Sequence, residues 1–94
     1  MAFPQQTPRE FTKAGIEWLA PNQNGCYGIY RQGQWIYVGR GDLRARLLSH
    51  FNGDNPRITR EKPTNYVTEV TANDEAREKA LIVELNPIAN QKIG

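Results

Sequence analysis

The sequence predicts an α+β domain in which a small three-stranded antiparallel sheet is flanked by helices. Residues 26–39 alternate between apolar and polar positions around Gln32-Gly33, a pair that favours a tight hairpin turn. β-Branched residues alternate again over 65–71 and predict the third strand. Apolar side chains at helical spacing over 43–52 and 74–85 predict the flanking helices.

Length and composition point to one domain, residues 1–94. Residues 1–24 would form an N-terminal arm and a short helix, and residues 25–92 the core that carries the motifs below. The single cysteine, Cys26, excludes an intrachain disulfide and a cysteine-based zinc site. No apolar run reaches the length of a membrane span or forms the core of a signal peptide. We therefore expect a cytoplasmic protein without a membrane partner.

The chain opens with a polar arm, residues 1–8, which contains two prolines and is expected to become ordered only by docking. Apolar residues between Phe11 and Leu19 predict a short helix that ends before Pro21. Residues 22–25 then form a turn that leads into the hairpin.

The register of the hairpin decides which way its tyrosines point. A two-residue turn would pair Gly28 with Tyr37. Because side chains alternate along a strand, Tyr30 and Tyr37 would then share one face. The opposite, apolar face would meet the core; it comprises Tyr27, Ile29, Ile36 and Val38. Two phenols would thus project together from the sheet. The alternative is that tyrosine simply favours strands and glycine ends them.

The helix at 43–52 begins after Asp42, whose carboxylate is expected to cap its first turn. Its apolar positions form one arc, which comprises Leu43, Leu47, Leu48 and Phe51. Arg46 and His50, one turn apart, lie together on an edge of that arc. Residues 52–63 are expected to form a mobile loop that is basic on balance.

Positive charge is concentrated in the middle of the chain, although the net charge is only +2. Between Arg40 and Lys62 there are six basic residues and three acidic ones. The basic residues are Arg40, Arg44, Arg46, Arg57, Arg60 and Lys62. Clustered positive charge suits a polyanion, because neutralised phosphates release condensed counterions. An ordinary solvated surface would carry the same charges, and the sequence leaves both readings open.

One carboxylate of the second long helix lies where an apolar residue is expected. Glu78 shares a helical stripe with Leu81, Ile82 and Leu85. A carboxylate there is costly unless it is paired, hydrogen-bonded or bound to a metal. Mg²⁺ is a suitable ion, because it takes few protein ligands and keeps most of its waters. The alternative is a salt bridge, with Arg46 as the partner.

Several of these features recur together in a known family. The motif residues are Gly28-Ile29-Tyr30, Tyr37-Val38-Gly39, Arg46 with His50, Glu78, and Pro87-Ile88-Ala89-Asn90. In this order and at these spacings, the chain resembles the GIY-YIG nuclease superfamily. Members of that family include the nuclease domain of a bacterial excision-repair incision subunit and phage homing endonucleases. The resemblance covers roughly residues 25–92. The connection from Tyr30 to Tyr37 is shorter than in most members, which we interpret as a trimmed loop.

The resemblance implies a metal-dependent endonuclease that hydrolyses DNA, in DNA repair, recombination or phage and mobile-element biology. Glu78 would hold one Mg²⁺ or Mn²⁺, and Arg46 would bind the scissile phosphate. Tyr30 would position or deprotonate the attacking water, with help from Tyr37 and His50, and the choice of base between the two phenols stays open. The residues expected to contact DNA are Arg40, Arg44, Arg57, Arg60, Lys62 and Asn90. The alternative function is a catalytically silent nucleic-acid-binding or assembly module of the same fold. The sequence leaves a protein partner or a homodimer open.

Overall fold

The structure, a computed structural model, describes residues 2–91. Its helices are α1 (Lys13–Glu17), α2 (Leu43–Phe51), α3 (Pro56–Arg60) and α4 (Asp74–Leu85), and a 3₁₀ turn spans Ile88–Asn90. Its strands are β1 (Arg9–Glu10), β2 (Asn24–Arg31), β3 (Gln34–Asp42) and β4 (Asn65–Val70). The predicted α+β class is confirmed. The first residue of the predicted arm and the last residue of the predicted core, positions 1 and 92, lie outside the described residues.

The sheet has four antiparallel strands in the order β1-β4-β2-β3, one more than predicted. The additional strand, β1, is two residues long and pairs with one end of β4. Two residues are too few to show the alternation by which a strand is recognised in a sequence. β3 lies at an edge of the sheet, so among the described residues no strand pairs with its outer side.

The two-residue hairpin turn is as predicted, but the register behind it is not. The partner of Tyr30 is Trp35 and the partner of Ile29 is Tyr37, which leaves Ile36 as an extra residue in β3. At such a β-bulge two residues of one strand oppose one residue of the other, and the alternation beyond it shifts by one position. The expectation that Tyr30 and Tyr37 share a face is therefore wrong.

Gly28 also has a different neighbour from the predicted one. Its partner in β3 is Val38 rather than Tyr37. A Cβ on Gly28 would lie 2.6 Å from the ring of Phe3 and 2.7 Å from that of Trp35. Gly28 thus makes room for the N-terminal arm, which docks through Phe3 with its ring centroid 5.7 Å from that of Trp35.

The sheet is covered on both faces. On one face, α1, α2 and α3 pack against the strands through fully buried side chains such as Ile16, Leu47 and Ile58. On the other face, α4 packs through Leu81, beside Phe3 of the arm. Successive residues of β2 therefore contribute to two different cores.

The segment 52–63 is not the predicted loop, because it contains α3. Asn55 caps this helix by accepting a hydrogen bond from the Arg57 N–H at 3.1 Å, and Pro56 occupies the first turn. Ile58 is fully buried and anchors α3 to the core. An Asn-Pro pair followed by one apolar residue is compatible with a short capped helix, but the basic composition of the segment favoured a loop.

The two long helices match their predicted ranges. Asp42 caps α2 by accepting a hydrogen bond from the Ala45 N–H at 3.1 Å, as expected. α4 ends at Asn86, which adopts a left-handed conformation (φ 46°) just before Pro87. Among residues 2–91, no helix combines the length and the apolar character that crossing a bilayer requires.

Candidate active site

Two phenols, those of Tyr27 and Tyr37, lie near each other where β2 pairs with β3. Their ring centroids are 6.3 Å apart; Tyr27 is fully buried and Tyr37 is half-buried. Tyr27 lies opposite Gly39, and a Cβ on Gly39 would overlap the Tyr27 phenol. The bulge at Ile36 turns Tyr37 toward the same face. Gly39 and the bulge together allow both phenols to lie side by side on one face of the sheet.

The imidazole of His50, on α2, lies against both phenols. Its ring centroid lies 5.6 Å from that of Tyr27 and 5.2 Å from that of Tyr37, and only 3% of the residue is exposed. Its Nε2 is 2.7 Å from the Tyr27 hydroxyl, and its Nδ1 is 2.7 Å from a carboxylate oxygen of Asp54. Three polar side chains thus form one hydrogen-bonded chain from the sheet to the turn after α2.

Burial changes the pKa of all three rings. It raises the pKa of Tyr27 far above its ordinary value. It also raises the pKa of Tyr37, and the negative charge of Glu78 acts in the same direction. Burial lowers the pKa of His50, although the adjacent Asp54 opposes this effect. At neutral pH the structure therefore holds two neutral phenols and a neutral imidazole.

Arg46 lies on the exposed side of this cluster. It precedes His50 by one turn of α2, and its side chain passes over Gly41, where an added Cβ would be 3.3 Å from the Arg46 stem. The Arg46 guanidinium lowers the pKa of Tyr27 against the effect of burial, so its positive charge lies beside the phenol. A guanidinium presents several N–H donors in one plane, a geometry that matches the oxygens of a phosphate.

Glu78 approaches the cluster from α4, which packs on the opposite face of the sheet. Its side chain is 23% exposed, and burial raises its pKa. The Nε of Arg40 lies 3.6 Å from Glu78 Oε1, and the Nη1 of Arg40 lies 3.6 Å from Asp74 Oδ2. The salt-bridge partner of Glu78 is therefore Arg40 and not Arg46. The charge of Glu78 also raises the pKa of both phenols, so the carboxylate and the cluster share one electrostatic environment.

Asn90, at the end of the 3₁₀ turn, binds the backbone of β3. Its Oδ1 accepts a hydrogen bond from the Val38 N–H at 2.7 Å, and its Nδ2 donates to the Val38 carbonyl at 3.0 Å. Because β3 is an edge strand, the Asn90 amide pairs backbone groups that a further strand would otherwise pair. Val38 lies between Tyr37 and Gly39, so Asn90 holds β3 at the point that presents both phenols.

Tyr30 is not part of this cluster. It lies on the opposite face, with its ring centroid 5.1 Å from that of Trp35, in the core that includes Phe3. The tyrosine beside Tyr37 is Tyr27. The sequence carries a signal for this residue, because two Gly-X-Tyr tripeptides follow each other, Gly25-Cys26-Tyr27 and Gly28-Ile29-Tyr30. The choice between them depends on the position of the bulge.

The other basic residues predicted to contact DNA lie further away. Arg57 and Arg60 of α3 line a cavity of about 180 Å³ beside the 3₁₀ turn, and Arg57 donates to a backbone carbonyl of that turn at 3.3 Å. Lys62 is exposed just beyond α3. Arg44 is half-buried on α2, and its Nε is enclosed without a hydrogen-bond partner within the described part of the chain. Of the predicted basic set, Arg46 is the residue placed beside a phenol.

Solved structures share this fold. The structure matches the GIY-YIG N-terminal endonuclease domain of UvrC from Thermotoga maritima, bound to its catalytic divalent cation, magnesium, with a TM-score of 0.67. The sequence identity is 29%, over 81% of this chain and 96% of that one. A point mutant of the same domain, bound to its catalytic divalent cation, matches with a TM-score of 0.65 and 30% identity, over 82% of this chain and 96% of that one. The chain belongs to the GIY-YIG nuclease superfamily.

A curated relative of this GIY-YIG domain is UvrABC system protein C from Dictyoglomus thermophilum, which is 35% identical over 80 residues. That match covers 78% of this chain but only 13% of the relative, so the GIY-YIG domain spans a small part of that protein's length. No family model matches the chain. The predicted resemblance is confirmed, with Tyr27 in place of Tyr30 beside the second tyrosine of the family's motif.

Proposed function

We propose that this GIY-YIG domain is a divalent-metal-dependent endonuclease that hydrolyses phosphodiester bonds in DNA. One observation carries the proposal: Tyr27, hydrogen-bonded to His50, is close enough to an exposed guanidinium, Arg46, and a half-buried carboxylate, Glu78, for both charges to act on its pKa. Phosphodiester hydrolysis needs these groups, because it requires a proton acceptor for water, positive charge for the phosphate and a ligand for a metal ion. The likeness to UvrC supports DNA as the substrate and excision repair as the process.

Glu78 is the residue we assign to the metal. Among residues 2–91, no three or more His, Cys, Asp and Glu side chains lie close enough together to form a metal site. A single carboxylate is nevertheless compatible with Mg²⁺ or Mn²⁺, hard ions that bind oxygen, and Mg²⁺ keeps several of its waters. Glu78 fits this role because it is a hard oxygen donor, and its ion-pair partner within residues 2–91, Arg40, lies at 3.6 Å. When bound, the ion would polarise the phosphate and stabilise the leaving oxygen.

Tyr27 is the residue we assign to the attacking water. Its hydroxyl is hydrogen-bonded to His50 and accepts a hydrogen bond from Arg46, and the remaining lone pair of its oxygen can accept a proton from water. Tyr37, the half-buried phenol beside it, would help to hold that water. Arg46 would bind two oxygens of the scissile phosphate through its planar fork and stabilise the negative charge of the pentavalent transition state.

The wider basic surface would hold the DNA backbone. Arg60 and Lys62 are exposed on and just beyond α3, and Arg57 lies beside them on the same helix. Cationic side chains that approach phosphates release counterions and make binding dependent on salt. We assign Asn90 to the structure of the site rather than to a DNA contact, because both polar atoms of its amide bind Val38.

The test is nicking of supercoiled and branched DNA with Mg²⁺ or Mn²⁺ by the wild type, Glu78→Gln and Glu75→Gln. Both substitutions keep the size of the side chain and remove one charge from α4. Glu75 is an exposed residue that pairs with Lys79 at 4.0 Å, so it is a matched control. We expect metal-dependent nicking by the wild type and by Glu75→Gln, and none above background by Glu78→Gln.

Two outcomes would contradict the proposal. Nicking by Glu78→Gln at the wild-type rate would remove the metal role of this carboxylate. A wild type that binds DNA but cuts neither substrate with either metal would instead support the alternative function, a nucleic-acid-binding or assembly module. Circular dichroism of each variant would show that the fold is retained.

A further inference from the structure

The hydrogen bonds of His50 have a direction that its neighbours fix. An ionised carboxylate can only accept, so the bond of 2.7 Å to Asp54 requires a proton on His50 Nδ1. A neutral imidazole carries one proton, and its Nε2 is then an acceptor. The other bond of 2.7 Å must therefore be donated by the Tyr27 hydroxyl to His50 Nε2. In this arrangement the Tyr27 oxygen accepts a hydrogen bond from Arg46 and keeps one lone pair that can accept a proton.

We propose that Asp54 is a positioning residue that acts through His50. By holding the proton on His50 Nδ1, it leaves Nε2 able to accept a proton, so that Tyr27 can relay a proton from water to His50. This inference rests on the proposed nuclease function. In the relay, the attacking water gives a proton to the Tyr27 oxygen while the Tyr27 hydroxyl proton moves to His50 Nε2. The water oxygen forms the new bond to phosphorus, and the P–O bond to the leaving oxygen breaks with its electron pair. The leaving oxygen takes a proton from solvent, and the imidazolium later returns one to solvent.

The relay accounts for how a phenol can act as a base in this site. Phenols have an ordinary pKa of about 10, and burial raises that of Tyr27, so a standing phenolate would be disfavoured. In the relay Tyr27 receives one proton as it loses another and never carries a full charge. The positive charge appears instead on His50, where the Asp54 carboxylate stabilises it.

The turn after α2 is shaped to bring Asp54 to His50. Gly53 has a positive φ of 89°, and its N–H donates to the His50 carbonyl at 3.0 Å. The Asp54 N–H donates to the Ser49 carbonyl at 3.2 Å. The chain thus doubles back, and Asp54 meets the ring four residues before it, with 40% of the Asp54 side chain exposed to solvent. This exposure gives the proton on His50 a route out of the site.

The charged and titratable groups around His50 come from β2, β3, α2 and the turn after α2. Tyr27 of β2 and Tyr37 of β3 face it from the sheet, Arg46 precedes it on α2, and Asp54 follows α2. His50 also lines a cavity of about 180 Å³, whose other lining residues are uncharged: Phe11, Phe51, Thr59 and Pro63. Asp54 is thus the negatively charged group in direct contact with the ring, and Arg46 acts in the opposite sense.

The chain contains one histidine, so nitrogen NMR of the imidazole reports His50 without ambiguity. We would record the tautomer and the pKa in the wild type, Asp54→Ala, Asp54→Asn and a control, Glu17→Ala, which removes an exposed carboxylate from α1. We expect the Nδ1–H tautomer in the wild type and in the control. Because Asp54 raises the pKa of His50, both Asp54 variants should lower it further, and Asp54→Ala should also populate the Nε2–H tautomer.

The same proteins would be compared for nicking rate as a function of pH. The relay needs a neutral His50, so the nicking rate should fall at low pH as His50 becomes protonated. The pH of this fall, the acid limb of the profile, should follow the pKa of His50. We expect Asp54→Ala to lower the plateau about 10- to 100-fold, a part of the about 10²–10⁴-fold that acid–base catalysis contributes. Its acid limb should move to lower pH. A loss of packing alone would lower the plateau and leave the limb in place.

Both the NMR measurement and the rate measurement can overturn the inference. An Nε2–H tautomer in the wild type would mean that His50 donates to Tyr27, and the relay would be excluded. Unchanged tautomer, pKa and rate in Asp54→Ala would remove Asp54 from the mechanism. A wild type that shows the expected tautomer but never nicks DNA would refute the proposed function, and with it the catalytic meaning of the relay. A relay that fails while metal-dependent nicking persists would refute only the inference.

Discussion

The substitution Tyr27→Phe, with Tyr30→Phe as its matched control, tests which tyrosine of β2 acts in the site. The sequence alone presents the two tyrosines as equivalent. Both substitutions remove one oxygen and keep the ring. In Tyr27 that oxygen bonds to His50 at 2.7 Å inside the cluster. In Tyr30 it lies on the opposite face, and among the described residues no hydrogen bond of its side chain is present. We expect Tyr27→Phe to lose activity and Tyr30→Phe to keep it.

The expected magnitudes separate a loss of chemistry from a loss of fold. Removing a general base costs about 10²–10⁴-fold in rate, which is about 2.7–5.4 kcal/mol of transition-state stabilisation. Leaving the Nε2 of His50 without its donor costs about 1–3 kcal/mol of folding stability. A small domain has about 5–15 kcal/mol of stability, so Tyr27→Phe should remain folded while its rate falls by orders of magnitude.

The assay is single-turnover nicking of supercoiled DNA at saturating Mg²⁺, with urea unfolding of each variant. A Tyr27→Phe protein that cuts within a few-fold of the wild type would refute the assignment of the base. A loss in Tyr30→Phe that exceeds the loss in Tyr27→Phe would refute the register of the hairpin, because the bulge is what places Tyr27 beside Tyr37.

Two further substitutions probe the backbone that holds the site. Asn90→Ala removes both hydrogen bonds to Val38, so we expect a loss of about 1–3 kcal/mol in the free energy of urea unfolding together with slower nicking. An unchanged unfolding midpoint would show that these hydrogen bonds do not stabilise β3. Gly39→Ala places a Cβ where the Tyr27 phenol lies, so we expect overpacking to cost about 1–3 kcal/mol and His50 to lose its partner in NMR spectra. Wild-type spectra and full activity for Gly39→Ala would show that the phenol lies elsewhere.

The helices and the hairpin turn could be predicted because each has a local signal. Asp42 at the start of α2 is a capping residue, and Asn86 before a proline ends α4. The position of Glu78 in an apolar stripe was also visible, because helical periodicity depends on nothing outside the helix. Its partner was not visible, because Arg40 reaches it from a strand that is distant in sequence. Local pattern thus predicted the elements, whereas contacts between elements required the structure.

The tyrosine of the site is the clearest case of this limit. A β-bulge changes the face of every later residue of a strand, yet Ile36 has no sequence feature that distinguishes it from a regularly paired strand residue.

Asn90 shows why the bulge is stable at an edge strand. β3 pairs with β2 on one side only, so the backbone N–H and C=O groups on its outer side have no neighbouring strand to fix their position. Without another partner, the bulged segment could shift its register against β2. Asn90 supplies one donor and one acceptor to Val38, two residues beyond the bulge, and so takes the part of a neighbouring strand. Asparagine suits this task because a single planar amide satisfies both groups, whereas a carboxylate offers no donor. We therefore expect the asparagine of the closing motif to affect the chemistry indirectly, because the register that it holds is the one that brings Tyr37 to Tyr27.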